Sequence, residues 1–191
     1  MATVSRKDAI LEAARAEFAE YGYSGARIER VAASAKSNKQ LIFHYFGSKD
    51  GLYTSVVASA FASAPTPPAE VAIPSDGIRG FLGSFAEWLM AMPGAALTIV
   101  ECAPGRHAPP AAAVHVSTFL SRTSLGLRKL IDEGQRKGFY RDDVDWQQIV
   151  NLAVGSIVAG ELFRATGSGL PSEPNPGAVV ARMVIDYCEW R

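Results

Sequence analysis

The chain has 191 residues, 48% of them hydrophobic, enough to bury a sizeable core in one mid-sized domain or two smaller ones. Its formal net charge is +0 at pH 7, so overall charge argues neither for nor against a polyanionic partner. The opening "MATVSRKDAI" carries charges where a signal peptide needs an apolar stretch, and two distant cysteines, Cys102 and Cys188, make no disulfide framework. The longest apolar run, "IVNLAVGSIVAGELF", falls short of the ~18 residues of a membrane span, so a cytoplasmic protein without a membrane partner is expected.

In chain order, residues 5–21 predict an amphipathic helix capped by Ser5, with Ile10, Ala14, Phe18 and Tyr21 on one face and Gly22 as its stop. A short helix follows over 27–34, with Ile28, Val31, Ala32 and Ala35 on one side. "KSN" breaks the pattern, and a third helix runs from about Asn38 to Tyr45. Ser48 caps a fourth, 48–62, whose apolar stripe includes Leu52, Val56 and Ala60 and whose first turn holds Asp50. The four prolines of "SAPTPPAEVAIP" forbid continuous helix, which makes 63–74 the best domain boundary. Helical periodicity resumes at 75–92, 95–102, 110–137, 146–166 (capped by Asp145) and 176–190, with "GSGLPSEPNPG" as a loop. No strand alternation or internal repeat is visible, so the expected fold is all-α with about nine helices.

Residues 26–49 hold Arg27, Arg30, Lys36, Lys39 and Lys49 against a single acid, Glu29. Such a block is either an electrostatic footprint for nucleic acid or a solvated helix face. The second and third helices, joined by a short turn, form a helix-turn-helix, the unit that lays its second helix in the major groove of DNA. At about 100° per residue, Lys39, Gln40, Phe43 and His44 share one outward arc, while Ile42 turns inward. Lys39 and Gln40 sit in the first turn, where a lysine can donate to guanine O6 and N7 and a glutamine can pair with adenine. His44, Tyr45 and Lys49 come later and suit phosphate oxygens. Catalysis on His44 lacks any Asp, Ser or Cys partner in a recognisable pattern. Cys102, His107 and His115 with Glu101 match no familiar zinc spacing, so no metal or cofactor is expected.

Residues 6–53 resemble the N-terminal DNA-binding domain of the TetR family of bacterial transcriptional regulators. The resemblance rests on Ile10, Ala14, Phe18, "EYGY" 20–23, Ile28, Ala32, Ala35 and "HYFGSKDGLY" 44–53. It implies a helix-turn-helix domain over 1–53 with 48–62 as connecting helix, and an effector-binding and dimerisation domain over 75–191. It also implies DNA contacts from Arg27, Asn38, Lys39, Gln40, His44, Tyr45 and Lys49. The chain departs from the family pattern in several places. Ala26 and Arg27 stand where Thr or Ser often opens the second helix, which passes a phosphate contact to the arginine. Lys36 occupies the usual glycine of the turn, where a positive φ would cost on the order of 1 kcal/mol. Phe43 lacks the common tyrosine hydroxyl and is expected only to pack.

The segment "FLGSFAEWLMAMPGAALTIVEC" is rich in Phe, Trp and Met, a composition shared by plain core and by ligand pockets. The resemblance points to a pocket there, with Phe85, Trp88, Met92, His115 and Phe119 as lining and Glu101 and Arg122 as polar anchors. On the last two long helices, Leu152, Gly155, Ser156, Ala159, Val180, Met183, Val184 and Tyr187 are candidates for half of a four-helix dimer interface, with burial inside one subunit as the alternative. The expected function is that of a homodimeric regulator, a repressor released from a pseudo-palindromic operator in double-stranded DNA by a small-molecule effector. Two rivals stand beside it: a DNA-binding protein with no effector and a fully packed C-terminal core, and a helical enzyme using the C-terminal pocket.

Overall fold

The computed structural model describes residues 5–167 and 176–189; most of the expected loop and the last residue of the expected final helix lie outside them. The described residues form nine helices: α1 (Arg6–Gly25), α2 (Ile28–Ser34), α3 (Lys39–Phe46), α4 (Lys49–Ala62), α5 (Pro74–Ala91), α6 (Ala95–Glu101), α7 (Pro110–Arg136), α8 (Trp146–Ala165) and α9 (Pro176–Cys188). Side-chain oxygens start four of them. Ser5 accepts the N–H of Asp8 at 3.1 Å, Asn38 that of Leu41 at 2.8 Å, Ser48 that of Gly51 at 3.1 Å and Asp145 that of Gln147 at 2.8 Å. Each such cap is worth about 1 kcal/mol.

The helices pack as two compact units, one holding the chain up to Ser63 with Met92–Thr118, the other Ala64–Ala91 with the chain from Phe119 onward. This grouping is by packing and cuts across the sequential division at 63–74, because α6 packs on α1.

In the first unit, Ile10, Ala14 and Phe18 of α1 meet Val31, Ala32, Ile42, Leu52, Tyr53 and Val56, all buried. The Tyr53 ring stands edge-on to Phe18 at 4.9 Å and to Tyr23 at 5.0 Å. Tyr21, expected on this apolar face, is instead 45% exposed, and its ring lies under the Arg30 guanidinium at 4.0 Å. One helical turn beyond Phe18 the α1 face has already rotated outward. At Gly22 the backbone leaves helical geometry (φ 66, ψ 179), the expected break, and one more short turn carries α1 to Gly25. The carboxylate of Glu101 fills the space beside this kink: its two oxygens accept the Tyr23 N–H at 2.9 Å and the Tyr53 hydroxyl at 2.8 Å. A Cβ on Gly22 would lie 2.5 Å from Glu101 Oε1.

In the second unit α5 packs chiefly on α9 and also on α8. Ile78, Phe81, Leu82, Phe85 and Leu89 meet Ala181, Val184, Ile185, Ile149, Ala153 and Ile157 in its core. After α7 the chain folds back on itself. Tyr140, 1% exposed, lies over Gly134, where a Cβ would come within 2.0 Å of the ring. The Gln135 amide secures this turn by donating to the carbonyls of Arg141 at 2.9 Å and Val144 at 3.3 Å.

Candidate nucleic-acid interface

Helix α2 has no side-chain cap at its first residue. Glu17 of α1 takes that role from a distance: it accepts the N–H of Arg27 at 2.8 Å and the Arg30 Nε at 2.8 and 3.0 Å. Burial alone would raise the Glu17 carboxyl, but its bonds to Arg30 and to the Arg27 backbone prevail and hold it below the ordinary value. Arg30 also donates to the Gly25 carbonyl at 2.9 Å, so one ion pair fixes α2 against the end of α1. Arg27 is exposed.

The turn between α2 and α3 passes through Lys36 at φ 48, the positive dihedral expected if a side chain replaced the turn glycine. Asn38 then caps α3 with its Oδ1, which leaves its amide N–H₂ available to a partner. On α3 the division of faces is sharp. Ile42 is 0% exposed and Phe46 9%, whereas Lys39, Gln40, His44 and Tyr45 face outward. Burying the Ile42 side chain contributes roughly 1.5–3 kcal/mol, and it is this anchor that turns the polar residues out. Phe43, expected only to pack, is 43% exposed. It follows Lys39 by one turn on the outer arc, so its ring faces away from the core.

Beyond the C-cap Gly47, Lys49 lies over the Tyr23 ring at 4.9 Å and donates to the Ser24 carbonyl at 3.4 Å. Tyr23 donates its hydroxyl to Asp50 at 2.6 Å, and this bond, with burial, pushes the Tyr23 phenol up to about 12. Asp50, read from the sequence as a helix-dipole residue, thus also ties the end of α1 to α4. A further partnership is invisible in the sequence. Glu29 of α2 forms an ion pair with Lys39, the first residue of α3.

The candidate effector residues fall into two groups. In the second unit, Phe85, Trp88 and Phe119 come together, with Phe85 stacked on Trp88 at 6.1 Å and on Phe81 at 5.9 Å, and with Phe119 5.8 Å from both Phe85 and Trp88. Arg122 is exposed. A residue missed from the sequence, Thr123, follows Phe119 by one turn of α7; it is 1% exposed and its hydroxyl has no hydrogen-bond partner among the described residues. In the first unit, Met92 lies beside Phe18, Tyr53 and Val57, His115 is exposed, and Glu101 is engaged as described.

Of the dimer candidates, Leu152, Met183 and Tyr187 are 52%, 59% and 51% exposed. Gly155 and Ser156 are exposed as well, and Ala159 and Val180 half-buried. Val184 does not belong with them: it is 1% exposed, because it shares the inward face of α9 with Ala181, Ile185 and Cys188. Among the described residues, no single helix is long and apolar enough to cross a membrane, and no three His, Cys, Asp or Glu side chains are grouped to hold a metal.

A short turn that delivers an exposed, polar-faced helix anchored by one buried isoleucine defines a helix-turn-helix DNA-binding protein. The sequence model for bacterial regulatory proteins of the tetR family matches residues 10–56. The transcriptional repressor NicS of Pseudomonas putida KT2440 is 33% identical over 145 residues, 72% of this chain and 67% of that protein. The transcriptional repressor SCO4008 of Streptomyces coelicolor is 40% identical over 87 residues, 46% of this chain and 44% of its own length. Among solved structures, a TetR transcriptional regulator from Chloroflexus aurantiacus superimposes with a TM-score of 0.69 at 19% identity, covering 95% of this chain and 92% of that one. The chain therefore belongs to the TetR family of bacterial regulatory proteins, a non-enzymatic family, and is a helix-turn-helix transcriptional regulator.

Proposed function

We propose that the protein works as a homodimer on a pseudo-palindromic operator in double-stranded DNA, in the cytoplasm, and that a small-molecule effector releases it. The observation that carries the DNA part is the outward face of α3. Lys39 and Gln40 stand in its first turn, within reach of base edges, while Arg27, Asn38, His44, Tyr45 and Lys49 flank them and contact phosphates. The dimer reading is supported by the exposed apolar side chains Leu152, Phe163, Met183 and Tyr187 on α8 and α9, large surfaces for a monomer to leave in water. A two-fold axis then demands an inverted repeat in the DNA.

The effector reading assigns Phe85, Trp88, Phe119 and Arg122 to the ligand, with the buried Thr123 hydroxyl, without a hydrogen-bond partner among the described residues, as a polar group for it. Release requires that the ligand bind the DNA-incompetent conformation more tightly than the competent one, since equal affinity shifts nothing. A second reading, an effector-independent repressor, is favoured by the 0%, 9% and 2% exposure of Phe85, Trp88 and Phe119, the values of packed core. Sedimentation with footprinting tests the first part: a dimer protecting an inverted repeat is expected, and a monomer binding a half-site as tightly as the full site overturns it. A thermal-shift screen against a metabolite library separates the two readings, because only an effector pocket yields a stabilising compound.

A further inference from the structure

We propose that Glu29 is a positioning residue that sets DNA specificity by holding Lys39, an inference that rests on the reading of α3 as the base-reading helix. Glu29 is the only carboxylate among residues 26–49, a block otherwise rich in lysine and arginine. It pairs with Lys39, and the two side chains are 60% and 51% exposed. An ion pair that open to water adds little to fold stability. Its consequence lies in what the helix-turn-helix presents to DNA. Lys39 beside it lowers the Glu29 carboxyl, so the carboxylate stays ionised wherever duplex DNA is bound.

The pair acts differently on the two kinds of DNA. Affinity for arbitrary sequence comes from lysines and arginines that neutralise phosphates and release counterions. A lysine whose charge is matched by an adjacent carboxylate contributes little to that term, and the carboxylate itself repels phosphates. Non-specific binding is weakened. On a cognate site, the ammonium has three donors, and one bond to Glu29 leaves two for guanine O6 and N7. The bond also fixes the flexible four-carbon stem before DNA arrives, so less side-chain entropy is lost on contact. Specificity is a ratio of affinities, and Glu29 raises it by lowering the denominator.

The test compares the full-length wild type with Glu29→Gln, Lys39→Ala and the double variant. A cognate duplex is first selected by the wild type from a randomised pool, and a scrambled duplex of the same composition serves as the non-specific probe. Binding to both is measured across a salt series. Glu29→Gln should tighten binding to the scrambled duplex several-fold, steepen its salt slope by about 0.9 per protomer and lower the specificity ratio. In the Lys39→Ala background the same change should move the slope and the ratio much less, leaving only the relief of the carboxylate's own repulsion of phosphates. Equal gains on both duplexes with an unchanged slope overturn the proposal, as does an effect of full size without Lys39. Should the wild type itself select no sequence from the pool, base reading by α3 falls and takes this inference with it; that outcome is separate from failure of the variants.

Discussion

Glu101 and Tyr53, 48 positions apart, share a hydrogen bond of 2.8 Å, and the second Glu101 oxygen closes on the Tyr23 N–H at 2.9 Å. The Tyr53 side chain is 1% exposed, so its hydroxyl has no access to water as an alternative partner. Burial, reinforced by the Glu101 charge, raises its phenol above the ordinary range, so Tyr53 is a donor at neutral pH.

Glu101→Ala should therefore destabilise the protein by roughly 1–3 kcal/mol, the cost of an unsatisfied buried polar group, and Glu101→Gln by less. Urea denaturation checks both. If Glu101→Ala melts like wild type and instead loses effector affinity, the carboxylate belongs to a ligand site and its structural role is refuted.

Gly22→Ala should be destabilising by about 1–3 kcal/mol from its backbone alone, because φ 66 with ψ 179 is a region essentially only glycine enters, with a further steric cost against Glu101. The two costs separate in a double mutant: combining Gly22→Ala with Glu101→Ala should remove the steric part and leave the backbone part. Strict additivity in that cycle would show that the two residues do not meet.

The Glu17 carboxyl lies below its ordinary value of 4.5 in the folded chain. Its contribution to stability is thus present above the unfolded value and is lost as pH falls through the lower folded one. Glu17→Gln should be less stable than wild type near neutrality, with the difference shrinking below about pH 4.5. Denaturation across a pH series checks this, and a gap that stays constant through the acid range contradicts it.

On DNA, Gln40→Ala should cost ~1–3 kcal/mol on the cognate site and relax preference at one base position. Lys49→Ala should weaken cognate and random duplexes alike and make the salt slope shallower by about 0.9 per protomer. Identical losses for both variants on every sequence would erase the distinction between reading and positioning.

Local signals were legible in the sequence, and the contacts between distant residues were not. Ser5, Ser48 and Asp145 cap the helices they were expected to cap because a cap bonds only two or three residues ahead. Gly22 breaks α1 and Lys36 takes a positive φ, both as their positions implied. Periodicity gave the outer face of α3 correctly, since one buried isoleucine fixes the phase of a short helix. It failed at Tyr21 and at Val184, which sit at the margin of an apolar stripe where a small rotation decides the side. No pattern could show that Glu101 reaches Tyr23 and Tyr53, or that Glu29 meets Lys39 across the turn. Those pairings depend on how helices lie together. Thr123 escaped for a different reason: a lone threonine on a helix carries no signal until its burial is known.

The ring of Tyr140 resting on Gly134 limits the paths along which this sequence can drift. While position 140 is aromatic, any side chain at 134 would enter the ring, so a replacement there forces the buried ring out of place. Shrinking Tyr140 first opens a void, a step that costs about 3–5 kcal/mol for a buried aromatic. Either order of change crosses a valley that is a large fraction of the stability of a typical domain. Descendants of this chain should exchange the two residues together or keep both.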